Sequence, residues 1–201
     1  MTSDFRTAIM DLIQREAQPV EKYGHQPRLF ALTRQIGYGL DYDDDVVFAA
    51  AWLHDLGVFV GHRPEDPVEL ARWDHVRYAC ERVPQMLADA DFPAEKIASV
   101  LAAVREHQPK DDPTSIEATI LRDADILEQL GGIGILRTVC KVGRDTRYAT
   151  FTDVVETLRR NLQVLPGEVR LESTKLLAAP RIAALRSFLE AVDAEAQGML
   201  F

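Results

Sequence analysis

Histidine and aspartate side chains suited to binding a divalent cation are spread between residues 25 and 125 of this sequence. A cation held by nitrogen and oxygen needs neutral imidazoles and ionised carboxylates that converge from several rigid elements. The candidates are His25, His54, Asp55, His75, His107, Asp123 and Asp125. The fifth histidine, His62, lies between glycine and proline residues and is expected to be a loop residue with no role in the chemistry.

His54 and Asp55 are adjacent, and adjacent side chains on a helix point about 100° apart. Both can reach one metal ion only where a helix ends or its turn widens. Gly57 is a helix-stop signal two residues later, which favours such an end. The apolar run AAAWL before the pair would bury two polar side chains, and buried polar groups need partners. A metal ion is one such partner.

The elements that must position these residues are predicted to be helices. Apolar residues recur at helical spacing along most of the chain, with hardly any alternation typical of strands, so an all-α fold is predicted. One helix should be capped by the aspartates at 43–45 and end at the His54-Asp55 pair. Helical pattern resumes across Trp73 to Leu87, with Pro84 as an expected kink. A later helix should end at His107, on its core-facing side.

Asp123 and Asp125 share one predicted helix, for which Thr114 and Glu117 have the spacing of a capping box. Its apolar face is defined by Ile116, Ile120, Leu127 and Leu130. Asp123 falls within that face and Asp125 falls nearly opposite. Periodicity therefore leaves both aspartates open as ligands.

Composition limits the partners. The formal net charge is -9 and the pI is near 5.0, whereas long nucleic acids need clustered Lys and Arg. A long nucleic acid is therefore not expected as a partner. A small phosphorylated ligand stays possible, because a bound cation supplies positive charge locally.

Cys80 and Cys140 lack paired spacing, and no segment is typical of a signal peptide or a membrane span. A cytoplasmic protein with no membrane contact is therefore expected. One domain over residues 1–201 is predicted, with a core at about 20–131 and a C-terminal helical extension at about 132–197.

Several motifs in order resemble the HD-domain superfamily of metal-dependent phosphohydrolases. They are His25 with Arg28 in YGHQPRLF, then LHDLG, then EHQPKDDPTSIEATILRDADILEQLGGIGILRT. The tail TKLLAAPRIAALRSFLEAVDAE is similar to that of small bacterial HD proteins. The likeness runs over about residues 20 to 196, and the ordered set is more specific than any single motif.

The resemblance implies an HD-domain helical bundle with a divalent metal ion, Mn, Mg, Fe or Zn, held by His25, His54, Asp55 and Asp125. Asp123 stays a competitor for the fourth position. A water activated by the metal would attack phosphorus, and Asp55 or Asp123 would take its proton. His75 and His107 occupy positions where dinuclear HD proteins place extra ligands. They would bind a second metal, contact phosphate or orient the water.

The substrate implied is a small phosphorylated compound, with a nucleotide as the leading hypothesis and Arg28, Lys110 and Arg137 as its contacts. Ile126 departs from the arginine usual in close relatives, which weakens any transfer of substrate identity. Two alternatives stay open. One is a di-iron oxygenase, which needs both His75 and His107 as ligands; the other is a binding module that keeps the metal without turnover. The oligomeric state is left undetermined.

Overall fold

The computed structural model describes residues 4–145 and 147–201, which contain ten α-helices and no β-strand. The prediction of an all-α fold is therefore confirmed. The helices are α1 (Phe5–Glu16), α2 (His25–Ile36), α3 (Asp44–Leu53), α4 (Pro67–Ala71), α5 (His75–Asp89), α6 (Ile97–Arg105), α7 (Ile116–Glu128), α8 (Gly131–Val139), α9 (Phe151–Glu168) and α10 (Glu172–Ala196). No helix among the described residues has the length and apolar character needed to span a membrane.

Contacts between Cα atoms divide the chain into two compact units, the first ending at Arg122 and the second beginning at Asp123. The division falls inside α7. The first turns of α7 therefore belong to the first unit, and its last turns belong to the second.

Helix α3 is the buried centre of the first unit. Every residue from Val46 to Leu53 is buried, and the helix packs against α1, α2 and α6. Asp43 caps its start by accepting hydrogen bonds from the N–H groups of the second and third residues that follow it. The helix ends at Leu53, so that His54 is its C-cap and Asp55 lies in the turn beyond. The predicted helix end at the His-Asp pair is present.

The start of α3 is fixed by a network of ion pairs. Asp45 accepts from Arg6 at 2.5 Å and from Lys96 at 2.9 Å. Arg6 also pairs with Asp44, and Lys96 also pairs with Asp43. Hydrogen bonds from Arg6 and then Lys96 hold the pKa of Asp45 below its ordinary value, although partial burial opposes them. The network ties α1 and the turn before α6 to the start of α3.

The start of α7 differs from the prediction of a capping box. Ser115, not Thr114, is the cap, because its Oγ accepts from the backbone N–H three residues later at 3.1 Å. Glu117 accepts from the backbone N–H of Asp43 at 3.0 Å, and Thr114 bonds to Glu106. The prediction was wrong because Glu117 has a tertiary partner, which ties the first turn of α7 to the start of α3.

Helices α4 and α5 lie between Asp55 and α6. The pattern that predicted a helix across Trp73 to Leu87 corresponds to α5, which contains Pro84. Helix α4 was not predicted, because its five residues are too few to show a periodic apolar pattern. Asp66 caps it and Pro67 occupies its first turn.

In the second unit, α8, α9 and α10 pack against one another. Their shared apolar cluster includes Ile126, Leu130, Val154, Leu158, Leu165, Leu185 and Leu189. Ile126, which departs from the arginine that the resemblance implies, is fully buried in this cluster. The side chain at this position therefore stabilises the core.

Candidate metal centre

His54 and His107 are oriented by the helices that precede them. The Nδ1 atom of His54 lies 3.1 Å from the carbonyl oxygen of Ala51, and that of His107 lies 2.7 Å from the carbonyl oxygen of Val104. A carbonyl oxygen can only accept, so each Nδ1 carries the proton and each Nε2 presents a lone pair. Both histidines are buried, and both are therefore fixed in the tautomer that binds a metal through Nε2.

The carboxylate of Asp55 has imidazoles on both of its oxygens. Its Oδ2 lies 3.6 Å from Nε2 of His54 and 3.7 Å from Nε2 of His25, and its Oδ1 lies 3.8 Å from Nε2 of His75. Ligand atoms of His54, Asp55 and His107 all lie within 4.8 Å of one another. The structure thus brings together the predicted pair and the three other candidate histidines.

These separations fit a shared cation better than direct hydrogen bonds. A hydrogen bond between nitrogen and oxygen spans about 2.7 to 3.2 Å. Donor atoms that are each about 2.1 Å from one metal ion lie about 3 to 4 Å from each other. The nitrogen-rich donor set also matches a divalent transition metal. The residues present therefore fit a metal ion.

The electrostatics of Asp55 favour its charged form. Burial opposes ionisation of this carboxyl, but the electrostatic influence of the neighbouring imidazoles of His54, His25, His107 and His75, in that order, outweighs burial. They hold the pKa of Asp55 well below its ordinary range. The carboxylate of Asp55 is therefore anionic at neutral pH.

Gly57 allows the turn after the pair to approach the start of α5. A Cβ at this position would lie 2.7 Å from the carbonyl oxygen of His75 and 2.8 Å from its Cα. Only glycine avoids that clash. The indole Nε1 of Trp73 donates to the carbonyl of Gly57 at 2.8 Å. Close packing here places His75, the first residue of α5, beside Asp55.

The two aspartates of α7 have different surroundings. Asp123 is fully buried, and its carboxylate accepts from the backbone N–H of Arg170 at 3.1 and 3.2 Å and from that of Leu171 at 2.9 Å. Asp125 is half-buried, and its Oδ2 accepts from Gln129 at 3.1 Å. Asp123 thus holds the connection between α9 and α10, as its position in the predicted buried face suggests.

The three side chains predicted to bind phosphate differ in their exposure and in their partners. Arg28 is half-buried on α2, three residues after His25 and hence on the same side of the helix. Lys110 is exposed in the loop that follows His107. Arg137 donates to the buried carboxylate of Glu128 at 3.3 Å.

Arg122 is a residue of this region that the sequence did not suggest. It is fully buried, its Nε donates to the carbonyl of Gln108 at 3.3 Å, and its Nη2 donates to the carbonyl of Pro109. These bonds hold the turn directly after His107. Only its position next to Asp123, which falls within the predicted apolar face, could have indicated that it is buried.

A comparison with protein-family models matches residues 23–130 to the model described as HD domain, which is more than half of the 201 residues. The chain belongs to the HD-domain family. HD domains bind divalent metals, and the cluster of His54, Asp55 and His107 in this HD domain could hold one. No curated protein matches the chain.

Several solved structures share the HD-domain fold over nearly the whole chain. YpgQ of Bacillus subtilis, solved in complex with ADP, has a TM-score of 0.73 and 21% identity over 95% of this chain and 94% of its own. An HD-superfamily hydrolase of Bacillus thuringiensis has a TM-score of 0.69 and 20% identity over 96% of each chain. A predicted HD superfamily hydrolase from an uncultured Thermotogales bacterium has a TM-score of 0.63 and 22% identity over 94% of this chain and 91% of its own. These likenesses confirm the predicted helical bundle.

Proposed function

We propose that this HD-domain protein is a metal-dependent hydrolase that cleaves a phosphate ester or anhydride of a small phosphorylated substrate, with a nucleotide as the substrate class. The observation that carries the proposal is the Asp55 carboxylate with imidazole Nε2 atoms 3.6 to 3.8 Å from its two oxygens. The free thiols of Cys80 and Cys140 are typical of a reducing compartment, so we also propose the cytoplasm as its location.

The proposed metal ligands are His25, His54, Asp55 and Asp125. Asp125 is preferred to Asp123, because the carboxylate of Asp123 is engaged by backbone N–H groups of the chain after α9. The family resemblance supports the same choice. The number of imidazoles favours Mn, Fe or Zn over Mg, which prefers oxygen ligands.

A bound divalent cation would supply a water that loses its proton near neutral pH. The cation would also offset the negative charge on the phosphoryl oxygens. Because the lowered pKa of Asp55 keeps its carboxylate anionic, Asp55 would accept a hydrogen bond from that water and orient it. His75 is 28% exposed, against 5% or less for the side chains of His25 and His54, so it is the imidazole best placed to meet substrate. We propose that His75 and His107 bind a second metal ion beside Asp55 and so orient the water or the phosphate, and we assign no step to Asp123.

The substrate assignment rests on positive charge and on a relative. Arg28, one helical turn from His25, and Lys110, in the loop after His107, would offset the charge of a phosphate. The partner of Arg137, Glu128, makes it the weakest of the three predicted contacts. The ADP bound to YpgQ supports a nucleotide as the first substrate class to test.

The decisive experiment combines metal analysis with a phosphate-release screen over nucleotides and other phosphate esters. His54→Ala and Asp55→Ala should lose both bound metal and phosphate release, by at least about 100-fold. The exposed Arg77→Ala serves as control. Unchanged hydrolysis in the two variants would remove the mechanism. Bound metal with no turnover over the whole panel would instead support a binding module.

A di-iron oxygenase is the second candidate function, because imidazoles lie on both sides of Asp55. The ring centres of His75 and His107, both needed as ligands for that chemistry, lie 5.9 Å apart. Anaerobic loading with Fe²⁺ followed by measurement of oxygen uptake separates the two functions. Oxygen consumption that depends on His75 and His107, without phosphate release, would favour the oxygenase.

A further inference from the structure

The segment Leu56–Arg63 directly follows the His54-Asp55 dyad and is here called the dyad loop. Hydrogen bonds fix its start and its middle. The carbonyl of Gly57 accepts from the indole of Trp73 at 2.8 Å, and the N–H of Val60 donates to the carbonyl of Gln18 at 2.9 Å. The loop thus contacts the connection after α1 and the residues just before α5.

His62 joins the far end of the dyad loop to two helices. Its Nδ1 lies 2.9 Å from the hydroxyl oxygen of Tyr78 on α5, and its Nε2 lies 3.0 Å from Oε2 of Glu16 at the end of α1. The side chain of His62 is only 10% exposed. An ionised Glu16 can only accept, so Nε2 carries the proton, and the Nδ1 of the neutral ring accepts from the Tyr78 hydroxyl.

The contact with Tyr78 lies one helical turn from the metal centre. Tyr78 is three residues after His75 on α5, so both lie on the same side of that helix. The ring of Trp73 packs on that of Tyr78 with centres 5.2 Å apart. His75 is therefore flanked along the chain by two residues, Trp73 and Tyr78, that both bond to the dyad loop.

We propose that His62 is a positioning residue for His75: through Tyr78 and the dyad loop, it sets the separation of 3.8 Å between His75 Nε2 and Asp55 Oδ1. His54 and His107 are oriented by carbonyls of their own helices, so they do not need this support. The inference deepens the proposed function, and its consequence for turnover rests on that function. Its consequence for metal binding does not.

The test is a titration of the metal-free full chain with Co²⁺ alone. Calorimetry measures the affinity for Co²⁺, and visible absorption records the spectrum of the bound cobalt. The proteins compared are the wild type, His62→Ala, His75→Ala and the double variant. We expect His62→Ala to weaken Co²⁺ binding by about 10-fold and to change the cobalt spectrum, as loss of a residue supporting a ligand does. The double variant should be no weaker than His75→Ala, because His62 acts through His75. Unchanged cobalt binding in His62→Ala, or additive effects in the double variant, would overturn the proposal.

Matched variants separate positioning from a general loss of stability. Tyr78→Phe removes one hydroxyl, keeps the ring packing and should reproduce the effect of His62→Ala even if the latter folds poorly. His62→Asn places an amide near the position of Nδ1 and should restore most of the cobalt affinity. Arg77→Ala, on the exposed side of α5, should match the wild type. Wild-type cobalt binding in Tyr78→Phe would contradict the proposal.

The two proposals fail separately. If no substrate releases phosphate, the proposed function fails, and the cobalt titration still decides the role of His62. If phosphate release needs His54 and Asp55 while Tyr78→Phe and His62→Ala bind Co²⁺ as the wild type does, the positioning role fails and the proposed function stands.

Discussion

The Nε2 atoms of His25 and His54 face each other at 3.4 Å in a buried setting. The Nε2 of His54 has no proton to give, because its Nδ1–H is engaged by the carbonyl of Ala51. Two imidazoles converge here beside the carboxylate of Asp55, and a shared cation would satisfy all three groups at once. Their meeting is the geometric basis of the proposed function.

His25→Ala should weaken Mn²⁺ binding by more than about 10-fold, since one of the proposed ligands is removed. Calorimetric titration with Mn²⁺ measures the change, and circular dichroism checks that helical content is kept. Arg34→Ala, exposed on the same helix, is the control. Equal affinities in the two variants would exclude His25 as a ligand.

Gly57→Ala should impair the site, because its Cβ would press on the backbone of His75 at 2.7 Å. Overpacking of this kind costs about 1–3 kcal/mol of unfolding free energy, and phosphate release should fall with it. Urea unfolding and a phosphate-release assay measure the two effects. Gly132→Ala is the matched control, because nothing lies within 4 Å of a Cβ there. A Gly57→Ala protein as stable and active as that control would show that the close approach is unimportant.

Arg122→Met should lower the free energy of unfolding by about 3 kcal/mol, since the carbonyls of Gln108 and Pro109 lose a charged donor. The turn after His107 should loosen, and metal affinity should fall as well. Urea unfolding and Mn²⁺ titration measure both quantities. The exposed Arg105→Met is expected to change neither, and a similar result for Arg122→Met would refute the supporting role.

Asp123→Ala and Asp125→Ala should have opposite effects. The first removes the acceptor for the N–H groups of Arg170 and Leu171, so we expect a loss of about 2 kcal/mol of unfolding free energy with metal binding retained. The second should lose metal with little change in stability. Both quantities come from the same unfolding and titration experiments. Metal loss in a normally stable Asp123→Ala protein would reverse the choice of ligand.

The ion pairs of Asp45 predict a dependence of stability on pH. Its pKa is lower in the folded chain than the ordinary value of 3.8, so its charged form stabilises the fold above that pH. This contribution is lost as the pH falls through the lowered pKa. Asp45→Asn should therefore reduce the free energy of unfolding at pH 7 and have a smaller effect near pH 3. The exposed Asp41→Asn is the comparison, and an equal loss at both pH values would argue against this origin.

The sequence predicted much of the fold because long helices carry their own signals. The Asp43 cap and the end of α3 at the His54-Asp55 pair follow from residue types and apolar spacing. Helix α4 is too short for periodicity to reveal it. The capping-box prediction failed at Glu117, because a local motif does not show that a side chain is used by a distant backbone N–H.

Long-range contacts also account for what the sequence left open at the site. Periodicity placed Asp123 on the buried side of α7 but could not reveal its backbone partners at 170 and 171. His62 was expected to have no role, and its bonds to Glu16 and Tyr78 span 46 and 16 residues. Separations of that size leave no local pattern in a single sequence.

The main-chain carbonyls that hold the rings of His54 and His107 stop these imidazoles from swivelling. Most of the entropy of ordering two donors is therefore spent when the polypeptide folds, before any ion arrives. Rings locked in this way cannot follow the differing coordination preferences of successive ions. Discrimination among metals would then depend more on His75, whose side chain is more exposed and whose backbone lies against Gly57 of the dyad loop.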